Sequence, residues 1–356
     1  MSHMITLFNS LYLKGFWALC ITLGIIGIFG WNTVHFNTND EIPSLIIIDA
    51  AKQKEFGAFT VKVKTGLFIK NFPNFDMIRN TFLIDCLVWF ELYPDEIMLN
   101  MVEKFSFNNG RIVQRSSPDI KVDQGKMIVT YDVRVECKSN MRYDRFPFED
   151  HRITLMITNA YVTPSEMFFE VTENAFKIAP NIFISNWRVK DYAADAGYMI
   201  SKLEENDQLK EQSYPMALFT INFQKSGFRK ILIIFLPLFF AIFFSFLSLF
   251  MNAKNNFGRY SASISGVTSL IGYRFVIEQM MPEVGYFTLA DTLYILLLSI
   301  AFIIFVFQIF FIRYVENVQA KKEEEIIDLV WPYCINSLVF FVLSSLLLLL
   351  VLIALR

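Results

Sequence analysis

The sequence predicts an all-β sandwich followed by a four-helix transmembrane domain, and two observations carry that reading. Apolar residues make up 54% of the 356 and charged residues only 19%, with a mean hydropathy of +0.41. These apolar residues are segregated: residues 40–225 have the composition of a soluble domain, while long runs without charge fill the rest. The second observation is a period-two alternation through the soluble stretch, the pattern of half-buried strands. A net charge of −2 offers no basic surface for nucleic acid.

About 20 apolar residues cross the hydrocarbon core as a helix. Runs of that length lie at 231–251, 287–312 and 335–355, with a more polar one at 261–281. The helices are expected at about 228–252, 260–281, 287–312 and 333–355, within a membrane domain of 226–356. Ahead of the strands, Lys14 precedes an apolar run at 15–31. This run is either a secretory signal with Lys14 as its basic flank or an anchor that stays. Gly27, Ile28, Phe29, Gly30 and Trp31 make no small-x-small cleavage site, which favours the anchor. Either reading sends residues 32–225 across the membrane. Residues 1–14 form a tail whose first four read as a cloning remnant, and 32–58 form a linker.

The sandwich is expected over 59–225. Strands are predicted at 59–65, 81–90, 127–136, 152–159, 165–171, 187–192 and 217–223. Asn108-Asn109-Gly110 and Asp123-Gln124-Gly125 are hairpin signals. Many short strands at this spacing suggest an immunoglobulin-like sandwich. Cys20 and Cys334 lie in apolar helices, which leaves Cys86 and Cys137 in the β domain. They either pair or are small buried residues, and the second is the plainer reading. Three scattered histidines and no Cys/His cluster give no support for a metal or other cofactor.

The more polar helix carries the most specific pattern. At 100° per residue, Ser261, Ser265, Thr268, Gly272, Phe275 and Gln279 fall within about 40° of one line. Ile264, Val267, Leu270, Ile271 and Ile277 lie elsewhere. In series with three apolar spans, a small hydroxyl-bearing stripe faces either a neighbouring helix or water. The water reading is preferred, and one helix cannot enclose a pore, so it implies several copies round an axis. A ring of Phe275 would stop ions by dewetting, unless that side chain turns toward a neighbouring helix. Arg274 and Glu278 lie off the stripe, four apart, and are expected to be paired.

Several segments, in order, resemble the pentameric ligand-gated ion channels, the Cys-loop receptor superfamily. The run 61–69 with Asn80, Phe82 and Trp89 looks like the first two receptor strands. Phe146-Pro147-Phe148-Glu149 looks like the family's Phe-Pro-Phe-Asp loop. Phe223, Lys225 and Pro237 look like the run into the first channel helix, and Met281-Pro282, Gly285, Thr288 and Asp291 like the link between the second and third. Cys137 has no partner after the loop, where Ile153 stands, so the chain looks like the bacterial-type members. His151 stands where the family has Gln, and Lys225 where it has Arg.

The resemblance implies a homopentamer in the bilayer, its β domain in the periplasm of a bacterial inner membrane, opened by a small molecule or a proton. Coupling then falls to Asp76, Phe146, Pro147, Phe148, Glu149, Lys225 and Pro282, with Glu149 or Asp76 facing Lys225 as an ion pair. The positions matching the ligand loops hold Phe90, Phe105, Phe107, Tyr161, Tyr198 and Tyr214, a set suited to an amine or to a core. The acidic run at 204–207 falls at the capping loop, or is a solvated hairpin tip. Selectivity leans to cations: Arg259 is the charge at the inner mouth, Glu278 and Glu283 lie at the outer one, and 40–225 carry 26 acidic against 22 basic residues. The alternatives are a non-conducting receptor or scaffold, which the stripe argues against, and a membrane enzyme, for which no catalytic set is visible.

Overall fold

A computed structural model describes residues 11–48, 60–77, 79–202, 211–252, 255–321 and 330–354. The residues at 204–207, Lys254 and the first residues of the tail lie outside them. The chain forms two compact units. The β unit comprises 38–142 and 150–226; the helical unit comprises 1–37, 143–149 and 227–356. The β unit thus takes in part of the expected linker, and a seven-residue loop belongs with the helices.

The β unit has two sheets. One runs β1 (Ile46–Ile47), β11 (Trp187–Lys202), β12 (Glu211–Lys225), β8 (His151–Thr158), β4 (Ser106–Phe107), all antiparallel. The other runs β10 (Phe176–Ile178), β2 (Val61–Asp76), β3 (Thr81–Leu92), β7 (Lys126–Lys138), β5 (Gly110–Arg115). Strand β6 (Asp119–Asp123) pairs with β7, and β9 (Met167–Glu170) lies parallel to β2. Alternate residues of β3, from Phe82 to Leu92, are buried, so the pleat alone aims them at one core. Rings from both sheets meet there: Phe223 of β12 lies 5.7 Å from Phe72 and 5.0 Å from Phe75 of β2, and Phe219 lies 5.2 Å from Phe176. Each buried ring contributes about 1.5–3 kcal/mol through the apolar area it removes from water. Gly66 faces Trp89 across β2 and β3, and a Cβ there would stand 2.2 Å from the indole ring.

Asp123-Gln124-Gly125 closes the β6–β7 hairpin, with Gln124 at φ 49° and Gly125 at φ 81°, the two positive values of a tight turn matched to strand twist. Asn108-Asn109-Gly110 does not form the expected hairpin. It carries the chain from β4 in one sheet to β5 in the other. The Asn109 amide fixes that corner by donating to Thr154 O (2.7 Å) and Lys138 O (3.1 Å). The single turn α2 (Leu99–Val102) is the one helix described in the β unit.

The helical unit holds α1 (Leu11–Val34), α3 (Arg229–Phe250), α4 (Asn256–Met280), α5 (Leu289–Lys321) and α6 (Val330–Ala354). Among the described residues, four helices are long and apolar enough to cross a membrane, within α1, α3, α5 and α6, which marks the chain as a membrane protein. The remaining long helix, α4, has 25 residues and rises about 37 Å at 1.5 Å per residue. Pro237 inside α3 cannot donate to Ile233 O, and the Tyr273 hydroxyl of α4 donates to that carbonyl instead. Asn255 caps α4 by accepting from the Gly258 N–H (3.0 Å). At α5, Thr288 and Asp291 form a reciprocal box: Thr288 N–H donates to Asp291 (3.0 Å) and Asp291 N–H to Thr288 Oγ1 (3.3 Å).

Candidate functional site

The two faces of α4 differ sharply. Arg259, Ser263, Gly266, Leu270 and Ile277 are buried, at spacings of four, three, four and seven that keep them on one side. At Gly266 a Cβ would stand 2.0 Å from Ser245 Oγ and 2.8 Å from Ala241 O, so α3 and α4 touch there almost backbone to backbone. On the expected pore line, Ser265, Thr268, Gly272, Phe275 and Gln279 are all exposed, and Ser261 is half-buried. Phe275 is 68% exposed, and Phe257 near the start of the same helix is 83% exposed. The Ser265 hydroxyl donates to Ser261 O (2.7 Å), which satisfies it within the helix.

The N-terminal end of α4 differs from the expectation. Arg259 was expected to charge a mouth, yet its side chain is fully buried among helices. Its guanidinium donates to Gln308 Oε1 (3.0 Å), Met251 O (2.8 Å) and Asn336 Oδ1 (2.8 Å), and lies 4.2 Å from the Phe311 ring. Gln308 in turn donates to Ser248 Oγ (3.0 Å) and Asn336 to Leu249 O (2.5 Å). One planar cation therefore joins α4 to α5, α6 and the end of α3, a task suited to its fixed fork of donors. Nothing in the spacing of the sequence points to these partners. At the C-terminal end of α4, Arg274 pairs with Asp291 of α5 (2.5 Å), while Glu278 is exposed. Arg274, Glu278, Pro282, Glu283 and Asp291 border an open cavity of about 360 Å³.

The loop at 143–149 supplies the second cluster. Tyr143 N–H donates to the Tyr286 hydroxyl (2.8 Å), Leu289 N–H to Asp144 O (2.8 Å) and Ala290 N–H to Phe146 O (3.1 Å). The loop is thus hydrogen-bonded to the link between α4 and α5, at the first residues of α5. Phe146 and Pro147 are joined by a cis peptide. The Lys230 ammonium lies 5.3 Å from the Phe146 ring centroid, and Phe148 stacks on Phe235 at 5.6 Å. Phe146, Phe148 and Glu149 are buried, as is Pro282.

The other residues read as coupling groups lie in the β unit. Asp76 pairs with Arg79 (3.8 Å) and accepts its N–H (3.0 Å). Lys225 donates its backbone N–H to Asp150 Oδ1 (2.8 Å) and holds its ammonium 5.6 Å from the Trp187 ring.

Three of the six aromatic positions come together. Phe90, Phe105 and Phe107 sit in the core, Phe105 lying 5.1 Å from Phe90 and 6.4 Å from Phe107. A cation is already against them: the Arg115 guanidinium lies 4.6 Å from Phe105 and 4.1 Å from Tyr131. Tyr161 is 71% exposed under the Lys104 ammonium (4.8 Å). Tyr198 on β11 is buried and Tyr214 on β12 half-buried. Cys86 and Cys137 are buried free thiols. Burial pushes both up, Cys137 to about 12, so they stay protonated and inert. Among the described residues no group of three His, Cys, Asp or Glu side chains is placed to hold a metal ion. No protein-family model matches the chain, and no curated protein matches its sequence.

Proposed function

We propose that the chain is one subunit of a pentameric ligand-gated ion channel of the Cys-loop receptor type, with α4 of five copies lining a central pore. The observation that carries this reading is the sidedness of α4. Its buried face packs on its own bundle, and the face left open carries hydroxyls, a glycine and an amide, with Phe257 and Phe275 exposed on the same line and Ile271 and Val276 exposed at its margins. Lipid would select against such a stripe, whereas a water-filled lumen accepts it. The β unit is then the external, immunoglobulin-like receptor domain. The 143–149 loop fits the part of transmitter, because it is hydrogen-bonded to the start of α5, one short link from the outer end of α4.

Permeation of cations is the favoured mode. Burial of Arg259 withdraws its charge from the inner mouth, while Glu278, beside the last residue of the stripe, and Glu283, beyond it, stay exposed. The opening signal is a small molecule or a proton. Purified protein in planar bilayers, screened against pH and small amines, should pass cation current under at least one condition. Silence throughout, with Phe275→Ser silent as well, would favour a non-conducting receptor of the same architecture.

A further inference from the structure

The segment 142–152 carries no covalent closure, since Cys137 at the end of β7 is a free thiol. It is instead held by residues that precede every long strand. Within the β unit, Asp40 is 6% exposed and both its carboxylate oxygens are engaged. Oδ1 accepts the Arg142 N–H (2.7 Å); Oδ2 accepts the Arg152 N–H (2.8 Å) and lies 3.0 Å from His151 Nδ1. Thr38 Oγ1 accepts the N–H of Asp40 itself (3.1 Å). One carboxylate therefore bridges the two points where the loop leaves the β unit and re-enters it. Within the helical unit, Phe29 of α1 packs on Phe148 (5.0 Å), Phe235 (5.0 Å) and Phe239 (5.7 Å). Helix α1 is seated in that bundle along its length: Trp17 Nε1 donates to Ser344 Oγ (3.1 Å), its ring meets Phe341 (6.1 Å), and Gly24 lies against Leu348.

We propose that this segment is clamped by two separate ties, Asp40 holding its ends within the β unit and Phe29 holding Phe148 within the helical unit, with Asp40 and Phe29 as positioning residues, and that α1 stays in the mature protein to carry the second. The consequence for gating rests on the channel reading; the clamp does not. A buried carboxylate receiving two backbone donors and a ring nitrogen is a strong, directional tie. A phenyl ring set among three others fixes position through shape. The two halves are separable, because Asp40 holds the N–H groups of Arg142 and Arg152 while Phe29 touches the ring of Phe148.

Amide hydrogen exchange of the full chain in lipid nanodiscs tests this without any ligand. Asp40→Asn loses the charge and one acceptor, so exchange at Arg142 or Arg152 should rise about tenfold or more, the factor expected from loss of one charge-assisted hydrogen bond. Asp40→Glu keeps both oxygens and should exchange more slowly there than Asp40→Asn. Phe29→Ala should speed exchange at Phe148, whose N–H bonds to Arg145 O (2.7 Å), and leave Arg142 and Arg152 unchanged. Unchanged exchange across 142–152 in either folded variant would overturn the clamp. So would a uniform rise that includes β3 and β7, since Asp40 would then serve overall stability alone. Intact mass of the purified protein should include α1; its removal would equally contradict the proposal. Silence under every condition, in Phe275→Ser and Thr268→Ser alike, with these exchange results intact would sink the channel reading and leave the clamp standing.

Discussion

Phe275 and Arg259 occupy the same helix and answer opposite questions. Phe275 is a large apolar ring left in the open, and five such rings round an axis would make a collar in which a hydrated ion finds no hydrogen-bonding partner. Phe275→Ser removes the bulk and adds a hydroxyl, so resting conductance in planar bilayers should rise. Ser265→Ala, at a wider level with hydroxyls nearby, should leave it near the wild-type value. If Phe275→Ser stays silent at rest while Thr268→Ser opens the path, the constriction lies deeper in the bundle. Arg259→Met leaves Gln308, Asn336 and Met251 O without their donor, at about 1–3 kcal/mol for each group left unsatisfied. The thermal midpoint should fall clearly, and an unchanged midpoint would show that the network contributes nothing. Cys86 and Cys137 make a third residue-scale test. With Cys20 and Cys334 changed to serine, maleimide should label neither before denaturation, since burial keeps both thiols protonated. Phe275 was visible in the sequence because it interrupts a periodic stripe. The partners of Arg259 and Arg274 were not, because Gln308, Asn336 and Asp291 lie 17 to 77 positions away, and spacing alone says nothing of such distances.

Periodicity decided how much of each element could be read. Strands β3 and β7 alternate over 12 and 13 residues, and the rise of the pleat turns that directly into a core face. Strand β6 is exposed along its whole length, and β10 has three residues, so neither leaves a two-sided pattern to detect. The turn signal at Asn108-Asn109-Gly110 was chemically sound but its topology was not legible, since the same residues serve a hairpin or a crossing between sheets. For α4 the angular sorting of side chains is testable as a unit. Cysteines at 261, 265, 268, 272 and 279 should react with water-borne thiol reagents in the assembled protein, and those at 267 and 270 should not. Labelling of all seven alike would show the helix register to be wrong. Gly266→Ala forces a methyl into Ser245 and the Ala241 carbonyl, an overpacking that costs about 1–3 kcal/mol and should lower the thermal midpoint.

At the scale of the molecule, a single chain leaves its most unusual surface unexplained. The stripe on α4 faces away from its own bundle, and the exposed apolar residues of α1, α3, α5 and α6 are those a bilayer would cover. The order of a β unit before a helical unit was readable from composition, because strands and spans draw on different residues. The seven-residue loop that leaves the β unit to join the helices was readable only as a motif, since its placement depends on Tyr286, Leu289 and Ala290 far along the chain. Closing the stripe round a lumen requires copies, and the ring proposed has five. Native mass spectrometry of the protein released from lipid nanodiscs reads that number directly. One dominant species at five times the 41.5 kDa chain mass is expected. A monomer or a dimer in native-like lipid would contradict it, because the stripe would then border no lumen.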